Sequence, residues 1–141
     1  MTEVSENPAA AYVARIKAGL EGRIRDFAVT VQRALPGASV TTHLLATASF
    51  PWWAVVSVCR NSGARDEVVV LDVAYWRNPA RCQLSCDLST GGGVVLRELP
   101  EQSFDPATLT TELLDGWIAR TIGFIEDNVA TTVAVCAKHG L

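Results

Sequence analysis

Long apolar runs are missing from this sequence: no uninterrupted hydrophobic segment approaches the roughly 20 residues that a membrane-spanning helix needs. The first residues, Met1-Thr2-Glu3-Val4-Ser5-Glu6, have neither the basic start nor the apolar core of a secretory signal, so a cytoplasmic protein with no membrane partner is expected. Charge is also sparse. Charged residues make up 19% of the chain, and 12 Lys and Arg against 15 Asp and Glu give a net charge of −3. Nucleic acid is not an expected partner, because that needs clustered cations. Arg15, Lys17, Arg23, Arg25 and Arg33 do gather near the start, but Glu21 and Asp26 interrupt them, which reads as a solvated helix face. With two histidines and no Cys-x-x-Cys or His-x-x-x-His spacing, no metal and no cofactor are expected. The four cysteines, Cys59, Cys82, Cys86 and Cys136, read as reduced, buried small hydrophobes. Cys82 and Cys86 on one strand would stand about 13 Å apart, too far for one disulfide or one metal ion.

What the chain has in quantity is short apolar segments. Val40–Ala48, Trp52–Arg60, Val68–Trp76 and Cys82–Leu88 are strand-length, rich in β-branched and aromatic residues, and bounded by turn formers. A fifth, Val94–Leu99, follows Thr90-Gly91-Gly92-Gly93. Loops this short permit only antiparallel neighbours, so a meander is predicted. Folding each loop about its centre sets Leu44 beside Val56, Trp52 beside Tyr75 and Tyr75 beside Cys82. One face is then apolar across four strands. The other carries polar margins around Leu45, Trp53, Val55, Val70 and Trp76. A solvated sheet face is normally polar, so this patch marks a candidate interface.

Helical periodicity flanks the sheet. Tyr12, Ile16, Leu20, Ile24, Phe27, Val31 and Leu35 recur at near-helical spacing after Asn7-Pro8 and before Pro36-Gly37. Gly19 and Gly22 weaken this helix and are candidate bend points. Asp105-Pro106 repeats the cap-plus-proline start and predicts a long last helix to about Ala137. That helix carries a wide apolar arc including Leu114, Trp117, Ile118 and Ile125. It also carries a stripe of small residues, Gly116, Ala119, Gly123, Ala130, Ala134 and Ala137, that would admit another backbone. The expected fold class is α+β, with an N-terminal helix, a five-stranded antiparallel meander and a long C-terminal helix. Both helices cover one sheet face in a two-layer sandwich. Residues 1–7 are read as a flexible start and 8–141 as a single domain.

Catalytic constellations are weak. His43 has Ser57 or Cys59 as an outer-face neighbour but no acid to orient it. Asp72 and Asp87 share a face of adjacent strands, where carboxylates more often solvate a sheet. The three glycines join two strands rather than opening a helix, unlike a phosphate loop. No catalytic residue is assigned. Aromatics carry more information: Trp53 and Trp76 point outward, with Val55, Val70 and Arg77 completing a candidate partner-binding set. Trp52, Tyr75 and Trp117 would cap the core or, in the alternative reading of a small-ligand-binding protein or enzyme, wall an apolar pocket between the sheet and the last helix. The helix–meander–helix plan resembles small bacterial chaperone-like and immunity-type proteins, which act by binding another protein. The function expected is a non-enzymatic protein-interaction module (chaperone-like, immunity-like or adaptor). It would bind a protein partner, or itself as a homodimer, through the outer sheet face or the C-terminal helix.

Overall fold

A computed structural model describes residues 8–60 and 66–141. The expected flexible start over 1–7, its Asn7 cap and turn residues 61–65 lie outside the described residues. Helix α1 (Pro8–Ile16) continues through one π-turn, Lys17–Glu21, into α2 (Gly22–Ala34). The buried stripe explains the widened turn. Tyr12, Ile16, Leu20 and Ile24 are spaced by four, and on an ideal helix of about 3.6 residues per turn such a stripe drifts by about 40° per step. A π-turn absorbs that drift and holds Ile16, Leu20 and Ile24 at 0% exposure. Gly19 has a second role there, since a Cβ on it would meet Ile118 Cγ2 at 2.8 Å. The two glycines therefore mark a local widening and a close helix contact, and the helix does not end.

Five strands follow, β1 (Ser39–Leu45), β2 (Trp52–Cys59), β3 (Glu67–Arg77), β4 (Cys82–Thr90) and β5 (Val95–Glu98), in the meander order. The β2–β3 register is the predicted one, with Trp52 opposite Tyr75. The other two pairs are displaced by two residues. Leu44 faces Ala54 and Tyr75 faces Leu84. The turns cause this. The Oδ1 of Asn78 accepts from the amides of Ala80 and Arg81, both at 2.8 Å, and Asn78 N donates to Arg81 O at 2.8 Å, centring that reversal after Pro79. A shift of two preserves the face of a side chain, so the outer positions of Leu45, Trp53, Val55, Val70 and Trp76 stand, whereas Val68, expected on the outer face, joins the core cluster beside the register shift at Val58/Cys59.

The expected connector at Pro100–Ser103 contains a sixth strand. Here β6 (Gln102–Phe104) pairs with the Cys82–Leu84 end of β4, on the edge that β5 occupies further along. The two are one edge interrupted around Pro100, which has no amide hydrogen for the ladder. The C-terminal helix also differs from its prediction. Asp105-Pro106 opens only a 3-10 turn, Pro106–Thr108, and α3 (Thr111–Asp127) starts at Thr110, whose hydroxyl accepts from Leu113 N at 3.2 Å. At Asn128 the side chain donates back to Phe124 O at 2.8 Å and the backbone leaves helical geometry (φ −106°). An Asn that bonds its own backbone breaks a helix in this way, so α4 (Val129–Lys138) is a separate segment.

The helices bury the inner face. Trp52, Leu71, Tyr75, Leu84, Leu114 and Trp117 are at most 2% exposed within one core cluster. The small-residue stripe is not packed inside the chain. Ala119, Ala130, Ala134 and Ala137 are exposed, and a Cβ on Gly123 meets nothing within 4 Å.

Candidate functional site: the outer sheet face

Registry assembles the outer face in rows. One runs Leu45, Trp53, Ala74, Ser85, and the next runs His43, Val55, Asp72, Asp87, Glu98. Val70 lies opposite Ser57, and Trp76 opposite Gln83. Leu45 is 40% exposed, and Trp53, Val55, Val70 and Trp76 are half-buried. None of the five belongs to the core cluster or to the side chains packed against it. Trp53 is held by two contacts. Its ring stacks on Phe50 at 4.9 Å, and its Nε1 donates to Asp72 Oδ1 at 3.1 Å.

The structure brings four of the five predicted partner-binding residues onto this face, and places Arg77 elsewhere. Arg77 stands opposite Cys82, and its guanidinium donates to the Tyr75 hydroxyl at 3.3 Å, on the core side. Alternation explains it, since neighbours on a strand face opposite ways. The candidate pocket residues Trp52, Tyr75 and Trp117 lie in the core, with Trp52 Nε1 donating to Glu21 Oε2 at 3.0 Å.

The acidic row is the feature the sequence showed only in part. Asp72 and Asp87 are directly opposite, and Glu98 continues the row from β5. The bulge between Leu88 and Ser89 sets that alignment, and no residue pattern announces it. Like charges in directly opposed positions destabilise a sheet. Burial first, then Asp72 and Glu98, push Asp87 up to about 6, and burial also raises Asp72 against the lowering by the Trp53 hydrogen bond. The sign follows. The unfolded chain releases the Asp87 proton near the ordinary carboxylate range while the folded chain keeps it to about pH 6, so stability falls as pH rises through that window. Asp87→Asn is expected to raise the denaturation midpoint at pH 7.5 and to leave it unchanged at pH 4, a contrast that urea titrations at the two pH values would measure. An equal gain at both would remove charge as the cause.

Nucleophilic chemistry finds little support. His43 faces Val55, while Thr41 faces Ser57 and Ser39 faces Cys59, so the register separates the imidazole from both candidate nucleophiles. Burial raises the thiols of Cys59, Cys82, Cys86 and Cys136, which suppresses the reactive thiolate. Among the described residues no cluster of three or more His, Cys, Asp and Glu is arranged to hold a metal ion. A polar cavity of about 260 Å³ lies at the far end of the sheet, beside Arg60, Glu67, Gly91 and His139. Its Arg60 and Glu67 side chains already have partners within the chain. Arg60 pairs with Asp66 at 2.8 Å and donates to the His139 carbonyl, and Glu67 accepts from Ser57 at 2.7 Å. No helix among the described residues is long and apolar enough to cross a membrane. Compared with protein-family models, curated proteins and solved structures, the chain matches none.

Proposed function

We propose that this protein is a non-enzymatic binding module, of the adaptor, chaperone-like or immunity-like kind, that docks another protein on the outer face of its sheet. The observation that carries the reading is the set Leu45, Trp53, Val55, Val70 and Trp76, gathered on one face of three neighbouring strands and outside the core. Large half-exposed aromatics are the usual energetic anchors of interfaces. The acidic row Asp72, Asp87 and Glu98 beside them selects a partner surface that pairs apolar side chains with a Lys or Arg, which would relieve the repulsion along the row.

The test is photo-crosslinking in cells, with a photoreactive residue at Val70 and, as control, at exposed Ala119 on α3. A discrete protein adduct at Val70 and none at Ala119 is expected. Trp53→Lys keeps a partner for Asp72 but sets a like charge against the incoming cation. It is expected to reduce the adduct at least tenfold, as loss of a hot spot of about 2 kcal/mol would, with circular dichroism and melting unchanged. Equal adducts at the two positions would refute the proposal.

A further inference from the structure

The two edges of the sheet are built differently. On the β5/β6 side the edge carries Arg97 and Glu98, a bulge at Leu88/Ser89 and an interruption around Pro100. These are the devices that stop one sheet from pairing with another. The β1 edge has none of them. Ser39-Val40-Thr41-Thr42-His43-Leu44-Leu45 contains no Lys, Arg, Asp, Glu or Pro and pairs with β2 through seven residues with no register shift. Among the described residues nothing pairs with its other side.

The hydrogen bonds identify which groups are open. Gln32 on α2 reaches over the start of the edge, with Nε2 donating to Ala38 O at 2.8 Å and Oε1 accepting from Val40 N at 3.1 Å. The Val40 amide therefore points away from β2. Alternation directs the amides and carbonyls of Thr42 and Leu44 the same way, and among the described residues no side chain caps them. The layer above is open too. Val40 and Leu44 face the core but are only partly buried. Val29, three residues before Gln32 and so on the same side of α2, is 47% exposed.

We infer that β1 is a self-association edge, at which a second copy of this chain adds its own β1 antiparallel and extends the sheet across a two-fold axis. The register that uses only open groups pairs Thr42 of one copy with Leu44 of the other, twice, about an axis at His43. It forms four backbone hydrogen bonds and leaves the Gln32 cap intact. No like charges oppose one another, Val40 and Leu44 gain cover, and the two α2 helices approach through Val29. A self-complementary patch of this kind closes as a dimer. The outer faces stay free, so this inference stands apart from the docking reading.

Light scattering across a dilution series tests it. The native chain is expected at twice its 15.1 kDa mass in the micromolar range. Thr42→Pro removes an amide that makes no bond in the monomer, where proline is tolerated at an edge. His43→Lys places two ammonium groups opposite each other across the axis. Both variants are expected to run as monomers with unchanged circular dichroism, dissociating at least tenfold more readily than the native chain. A native chain that remains monomeric up to millimolar concentration overturns the inference. So does a dimer that withstands both substitutions, and dissociation by Trp53→Lys instead would locate self-association on the outer face.

Discussion

Gly91→Ala is expected to cost about 3 kcal/mol, the upper part of the range for inserting atoms into filled space, and to lower the melting temperature by about 10 °C. A Cβ built on Gly91 falls 1.7 Å from the carbonyl oxygen of Glu67 and 2.6 Å from its carbon. The clash is with backbone, and Gly91 N is tied to Val68 O at 3.1 Å, so neither side has a side-chain torsion to turn. Its two neighbours calibrate the effect. Gly92 has only Thr90 Oγ1 nearby, at 3.9 Å, and alanine there is expected to be nearly neutral. Gly93 has open space but a φ of +90°, for which alanine costs roughly 1 kcal/mol of left-handed strain. Thermal melts of the three single variants should rank Gly91, Gly93, Gly92. Equal losses would mean that the turn responds to composition and not to the contact with β3.

Trp52→Ala is expected to cost 3–5 kcal/mol, the general range for deleting a large aromatic from a core, and to leave the chain unfolded or close to it. Trp52 is 2% exposed, and its indole N–H is satisfied by Glu21 in the π-turn. Trp117 is as deeply buried, but its Nε1 has no hydrogen-bond partner. The two tryptophans therefore separate under a milder change. Trp52→Phe strands the Glu21 carboxylate and is expected to cost about 1–2 kcal/mol beyond the lost area, whereas Trp117→Phe deletes an unpaired buried donor and gives part of its loss back. Denaturant midpoints of the two Phe variants decide it. Equal shifts would show that the Glu21 bond contributes nothing to stability.

The inner and outer faces were legible because alternation survives any even slip, and both misjudged registers slipped by two. The same tolerance hid the exact neighbours, so His43 was set beside Ser57 and lies opposite Val55. Arg77 is the neighbour of Trp76 in sequence, which on a strand assigns it to the opposite face. Helix starts were harder. Asp105-Pro106 and Thr110 both carry capping chemistry, and tertiary packing chose the second. No residue pattern marks the edge at β6, because Gln102-Ser103-Phe104 is three residues long and lies just past Pro100. Such a strand exists only because β4 offers it a ladder. The equivalence of Gly91, Gly92 and Gly93 was broken by a strand distant in sequence, which composition does not encode.

The order of elements along the chain has a consequence for synthesis. The strands pair with their neighbours in sequence and can zip up as they emerge, but half the cover for their apolar face comes last, from Leu114, Trp117 and Ile125 on α3 and from Cys136 on α4. At about 5–20 residues per second, the ribosome needs several seconds to carry the chain from β4 through α4. During that interval a nearly complete sheet stands with Leu71, Tyr75 and Leu84 only partly roofed. The nascent chain is then at its most adhesive just before α3 and α4 emerge, which makes the pace of translation through these two helices a determinant of yield.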